Sequence, residues 1–225
     1  MHAEYPATYR DAHGEERTII ENDGKELRML LRGVEFVGNY FDDFEPKLDL
    51  ADPHLASFTF GYGMLCGHFL ECTIPLPVVS GGDVVDAQLL MQLDRGYPRS
   101  GGNDRKDREP LKLCLTIGDT SFWSQGKSRW FEDELLDIQR ALPENTYMKA
   151  CINCAYSDYA PGGNGIFGCM ACFRDNKVEY LRVAKKRPFD KAAFFRVWAT
   201  RTEWVQETYL CPEFERRPPG IGYRG

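Results

Sequence analysis

Leu65-Cys-Gly-His-Phe-Leu-Glu-Cys-Thr-Ile74 and Val85-Asp-Ala-Gln-Leu-Leu-Met-Gln-Leu-Asp94 decide the class of this fold. In the first run Cys66, His68, Leu70, Cys72 and Ile74 share one face of an extended chain. In the second, Val85, Ala87, Leu89, Met91 and Leu93 alternate with Asp86, Gln88, Gln92 and Asp94. A third run sets Leu111, Leu113, Leu115 and Ile117 against Lys112, Cys114 and Thr116. A period of two means one buried face and one wet face. Such strands suit an antiparallel sheet better than a parallel one buried on both sides. Pro75 and Pro77 end the first run or place it on an edge. With turn signals between the runs, the expected package is an antiparallel β-sandwich in a mostly β (α+β) chain.

Toward the amino terminus, residues 16–21 read as a short strand, and Asn22-Asp23-Gly24 reads as a hairpin turn into a strand at 27–31. Gly33, ahead of Val34-Glu-Phe-Val37, suggests a bulge within one longer strand. Residues 39–54, acidic and broken by Pro46 and Pro53, read as loop. Residues 95–110 are polar, glycine-bearing and dense in both charges, and are expected to form a long hairpin loop.

In the other direction Phe131, Leu135, Ile138 and Leu142 fall at helical spacing, with Glu132, Asp133 and Glu134 in the first turn, where the helix dipole favours negative charge. Ser128 is the candidate N-cap and Pro143 the stop. A strand at 146–150 should lead straight into Cys151. A second helix is expected over 191–203, with Phe194, Phe195, Val197 and Trp198 as its apolar residues, and 212–225 should be irregular. This divides the chain into a sandwich-like domain with a closing helix, residues 1–145, and a cysteine-rich module, 146–225, packed on it.

The 225 residues are enough to bury a real core, and 43% hydrophobic with 28% charged residues is ordinary for a globular protein. A net charge of -6 argues against a nucleic-acid or membrane footprint over the whole chain. That charge is uneven: residues 173–201 hold nine Lys or Arg against three Asp or Glu, hence +6 there and -12 elsewhere. The first residues lack the basic start and apolar run of a signal peptide. Together with eight cysteines, this gives the expectation of a reducing, cytoplasmic location without a membrane anchor.

Cys151-Ile-Asn-Cys154 and, fourteen residues on, Cys169-Met-Ala-Cys172 have the spacing of a structural zinc site, and Cys211 follows in Leu-Cys-Pro. A tight turn lets one pair of thiolates grip an ion while a second group completes the tetrahedron. One zinc takes four ligands, so five thiols compete, and Cys169 and Cys211 are rivals for a place. Buried or disulfide-paired cysteines, an iron–sulfur cluster and a redox Cys-x-x-Cys are the competing chemistries. The redox reading is weakened because Ser157-Asp-Tyr-Ala-Pro-Gly-Gly163 reads as loop rather than helix.

Several motifs resemble a family of uncharacterised bacterial proteins, a domain of unknown function. They are Glu21-Asn-Asp-Gly24, Arg32-Gly-Val-Glu-Phe36, Cys151-Ile-Asn-Cys-Ala-Tyr-Ser-Asp-Tyr159 and Cys172-Phe-Arg174, with Gln206-Glu-Thr-Tyr-Leu-Cys211 and Gly222-Tyr-Arg-Gly225 toward the end. The resemblance implies a thiol set of Cys151, Cys154, Cys172 and Cys211, with a non-ligand tolerated at Cys169. It implies no activity.

Outside the thiols the signals are weaker. His2, His13, His54 and His68 form no catalytic or metal-binding grouping by spacing, and there is no phosphate-cradling glycine motif. Asp158 and Glu207, each close to a candidate ligand, suit hydrogen bonds that pin the metal loops. Their rival role is an acid–base pair of a hydrolase-type enzyme. Lys185, Lys186 and Arg187, among Tyr180, Phe189 and Phe194, invite a nucleic-acid reading, against which stands a solvated basic helix start. A closed thiolate shell leaves no position for a reactive water. The expectation is therefore a non-enzymatic binding protein with structural zinc and a protein partner, of immunity or adaptor type.

Overall fold

The structure is a computed structural model and describes residues 2–97, 110–161 and 167–222. β1 (Ala3–Asp11), β2 (Gly14–Asn22), β3 (Leu27–Leu31), β4 (Val34–Gly38) and β5 (Glu45–Pro46) run as antiparallel neighbours. A small hairpin of β6 (Thr59–Gly61) and β7 (Met64–Cys66) leads to β8 (His68–Pro75), which joins the other side of β1. β9 (Val78–Ser80) and β10 (Asp83–Val85) form an outlying hairpin. β11 (Ala87–Arg95), β12 (Leu111–Ile117) and β13 (Thr120–Trp123) then extend the large sheet. Its nine strands lie in the order β13-β12-β11-β8-β1-β2-β3-β4-β5.

After α1 (Phe131–Ala141), β14 (Thr146–Met148) pairs with β9. β15 (Ser157–Asp158), β16 (Met170–Cys172) and β17 (Glu203–Val205) form another three-stranded sheet. α2 (Lys177–Ala184) and α3 (Lys191–Trp198) lie between its last two strands. The mostly β, antiparallel class read from the alternation is the one observed.

Alternation builds the core. Leu70, Cys72 and Ile74 of β8, Leu89, Met91 and Leu93 of β11, and Leu111, Leu113 and Leu115 of β12 are all buried on one face. Each large side chain so buried contributes about 1.5–3 kcal/mol relative to exposure. Across the core the sheet is covered by Phe41, Phe44 and Phe58 from the 39–58 segment, by Phe131, Leu135 and Ile138 of α1, and by Ile152, Phe167 and Met170. The carboxyl-terminal third therefore supplies part of the main core. A second, smaller cluster around Phe173, Tyr180 and Phe194 belongs to α2, α3 and their surroundings.

Several local expectations change. Gly33 is not a bulge: Arg32 and Gly33, at φ 49° and 78°, form the two-residue turn between β3 and β4, with Leu31 opposite Val34. Positive φ at both central residues is what a tight hairpin with matching twist requires. The strand ahead of residue 14 carries Pro6, yet β1 forms, because its ladder with β8 begins only at Ala7. The 191–203 helix ends at Trp198; residues 199–202 turn, and β17 begins at Glu203. α2 is an additional helix, with Tyr180, Val183 and Ala184 buried. α1 is preceded by Trp130 at its N-cap. Ser128 lies further out, where its amide donates to Glu134 (2.7 Å) and its hydroxyl to Asp133 (2.7 Å). The long loop expected at 95–110 falls mostly outside the described residues, as does most of the glycine run at 161–165.

One buried group in the sheet has a measurable consequence. His68 is 4% exposed and stacks on Tyr9 at 5.1 Å, and among the described residues neither ring nitrogen has a well-formed hydrogen bond. Burial, partly relieved by the Cys66 backbone and reinforced by the Arg95 charge, lowers its pKa to about 4. The unfolded chain takes up this proton near pH 6.5 and the folded chain near pH 4. The contribution is therefore complete above pH 6.5 and shrinks as pH falls toward 4, by roughly 3 kcal/mol. His68→Phe, which keeps a stacked ring, is expected to flatten the decline in urea-unfolding stability between pH 7 and pH 4. An acid limb as steep as that of the unsubstituted protein would contradict this assignment.

Candidate metal centre

Three sets of backbone bonds bring the thiol segments together. β14 pairs with β9, and the Lys149 amide donates to the Pro77 carbonyl (2.8 Å), which fixes the chain just before Cys151. Residues Cys151–Asn153 then form a 3₁₀ turn, closed by the Cys154 amide donating to the Cys151 carbonyl (3.0 Å). This turn is bound to the tail: Cys151 donates to Tyr209 (3.1 Å), Ile152 to Glu207 (2.9 Å), and Arg217 to Asn153 (2.8 Å). On the other side β15 pairs with β16, setting Ser157 opposite Cys172. The Ser157 hydroxyl also donates to the Cys151 carbonyl.

Electrostatics separates the five thiols. Cys151 is pushed well above the ordinary thiol range by burial, and next by Cys154, Cys172, Cys211 and Glu207. Cys172 is raised by burial, with Cys154 and Cys211 again among its repelling neighbours. Cys169 has other company. Burial raises it, its sulfur is hydrogen-bonded to the Tyr40 hydroxyl, and the acids acting on it are Glu207, Asp42 and Asp43. Cys154 and Cys211 thus act on both Cys151 and Cys172, whereas the groups acting on Cys169 are Tyr40 and acids. All eight cysteines are free thiols. Among the described residues, no three His, Cys, Asp or Glu side chains stand in an arrangement that holds an ion as placed.

Asp158 and Glu207 are both fully buried. Asp158 accepts from the Tyr159 amide (3.0 Å) and the Tyr180 hydroxyl (3.1 Å), and Arg217 Nη1 stands 3.7 Å away. Glu207 accepts from the Tyr159 hydroxyl and from the Gly168 amide (2.6 Å). Gly222, at φ 82°, passes so close that a side chain there would strike the Asp158 carboxylate and the Arg217 guanidinium.

The basic segment is largely engaged with its surroundings. Arg174 pairs with Glu203, Arg182 with Glu179 (2.6 Å), and Lys177 with Glu213 (3.2 Å). Arg187 donates to the carbonyls of Ala184, Lys186 and Gly220. Lys185 and Lys186 are exposed.

Residue-by-residue reading missed several partners. Arg217, Tyr180 and Gly222 close over Asp158, and Asn22 meets Gln206 in reciprocal amide bonds of 2.7 and 3.0 Å. Asn22 also donates to the Tyr5 hydroxyl (2.6 Å). Two of the quoted motifs, Glu21–Gly24 and Gln206–Cys211, thus touch in space. Their co-occurrence was the available signal, but it carried no distance information.

The chain is a mostly β protein of antiparallel sheets with free thiols in the stretch where its tail returns to the body. Residues 3–157 match the model of a family of unknown function (DUF6304), and the chain belongs to that family. The match includes Cys151 and Cys154 and ends before Cys169, Cys172 and Cys211. No curated protein and no solved structure matches the chain. Among the described residues no helix is long and apolar enough to cross a membrane.

Proposed function

We propose that this is a non-catalytic binding protein whose carboxyl-terminal third, residues 146–225, is fastened to the body by one structural zinc ion on Cys151, Cys154, Cys172 and Cys211. What supports the reading is that Cys154 and Cys211 act on both Cys151 and Cys172, while Cys169 is hydrogen-bonded to Tyr40. The donor set fits zinc. Four sulfurs with no carboxylate among them suit a soft tetrahedral site, and a full shell leaves no place for a reactive water. An ion there would draw the sulfurs in from their present spacing and convert their mutual repulsion into shared coordination.

The engagement of Asp158 and Glu207 by amides and hydroxyls supports a bracing role for both, in preference to acid–base work. The pairing of Arg174, Lys177 and Arg182 with acids favours a protein partner over nucleic acid. Eight free thiols accord with a reducing, cytoplasmic setting.

Metal analysis of the purified chain tests the proposal. One zinc per chain is expected in the unsubstituted protein and in Cys169→Ser, and much less than one in Cys211→Ser. Retention in Cys211→Ser with loss in Cys169→Ser would replace the ligand set. Iron with sulfide in place of zinc would replace the metal.

A further inference from the structure

A cavity of about 630 Å³ lies between the β2–β3 turn, the 39–40 segment and β17. That is the size of a small-molecule site. Its walls include four aromatic residues: Tyr40, Tyr159, Trp198 and Trp204. The two tryptophans meet edge to face, with centroids 5.6 Å apart and planes at 70°, so their faces stand nearly at right angles. Trp204 is 48% exposed, although burying an indole is strongly favourable. Its ring already attracts one cation: the Arg201 guanidinium lies 4.5 Å from its centre, and Arg201 is not among the lining residues.

Acidic groups stand near the cavity. Glu203 lines the cavity, and Glu207, Asp42 and Asp43 all act on the Cys169 thiol, which also lines it. Basic groups oppose them: Arg174 pairs with Glu203, Arg201 sits on the Trp204 ring, and Lys25, which lines the cavity, is exposed and makes no ion pair among the described residues.

Ring faces carry the negative end of the aromatic quadrupole. Perpendicular faces with carboxylates close by therefore favour a cation over a neutral or anionic guest. We propose that this cavity binds a small organic cation, an amine or quaternary ammonium group carried on an apolar body that fills the remaining space. The inference goes beyond the zinc-held binding role, and it does not depend on which metal the thiols take.

Calorimetric titration of the full chain, with its metal content measured alongside, tests it. Three probes share one ring and differ in charge: benzyltrimethylammonium, benzyl alcohol and phenylacetate. The cation is expected to bind at least about tenfold tighter than the alcohol, within the range of a desolvated cation–π contact, and phenylacetate weakest. Lys25→Gln, a surface change that removes the like charge, is expected to tighten the cation at least about twofold. Trp204→Leu should abolish most binding while circular dichroism stays unchanged. Equal binding of cation and alcohol, tighter binding of phenylacetate, weaker cation binding in Lys25→Gln, or no binding of any probe by metal-replete folded chain would each overturn the assignment. A chain that binds the cation but holds no zinc would leave this site standing and remove the metal proposal instead.

Discussion

Stripping the proposed zinc with a chelator, or changing Cys211 to serine, is expected to unfold residues 150–217 while the large sheet keeps its hydrogen bonds. Structural zinc contributes an apparent 10–16 kcal/mol in small metal-dependent domains, and whole domains are stable by only about 5–15 kcal/mol. The regular elements of this third are too short to stand without tertiary support. β15, β16 and β17 are two or three residues long, and α2 and α3 have eight residues each, below the length at which a helix holds alone. The loss should also reach the body. Phe167 packs against Phe41 at 4.6 Å and Phe131 at 5.1 Å, so releasing it exposes part of the main core. Hydrogen exchange should show amides of 150–217 opening early and those of β1, β8 and β11 remaining protected at lowered stability. If the chelated chain exchanged like the untreated one throughout, the metal would not be holding this region.

Asp158→Ala is expected to cost about 3–5 kcal/mol, the usual result of removing one partner from a buried ion pair. The carboxylate is fully buried, and the Arg217 side chain is only 12% exposed. Arg217 Nη1 also donates to the Ile221 carbonyl (2.9 Å) and Nη2 to the Ser157 carbonyl, so the guanidinium cannot easily leave for water. Tyr180 would lose its hydroxyl acceptor while its ring remains stacked on Phe173 at 4.5 Å. Asp158→Asn keeps an acceptor and removes the charge, and should cost less than alanine. Urea midpoints for the two variants, measured on metal-replete protein, test this ordering. An alanine variant within about 1 kcal/mol of the unsubstituted chain would show that the pair is replaceable.

The strands were legible because their side chains report the environment directly. Ala87, Leu89, Met91 and Leu93 alternate with Gln88, Leu90, Gln92 and Asp94, and every buried position in β11 falls on the first stripe. Short elements were illegible for the same reason. Three residues of β17 complete no period, so the aromatic run before it read on as helix. In α2, Val178 is 78% exposed while Tyr180 is buried, and a pattern dominated by lysine and arginine suggested a charged surface instead. The thiol spacing left Cys169 and Cys211 as rivals, the family resemblance favoured Cys211, and the return of the tail brings Cys211 to act on Cys151 and Cys172. That return depends on contacts such as Cys151 with Tyr209, which no local pattern encodes. The aromatic cavity was invisible for a similar reason, since Tyr40, Tyr159 and Trp204 come from three distant stretches.

The pairing of Asn22 with Gln206 bridges 184 positions, and that distance imposes an order of events during synthesis. β1 with β2 and β3 with β4 are local hairpins that can close as soon as they are made. Asn22, at the end of β2, must then wait for its Gln206 partner until residue 206 has been translated. Nascent chains stalled before position 206 should therefore hold hairpins whose inner edge is still hydrated, and the final closure should be the slow, temperature-sensitive stage of maturation.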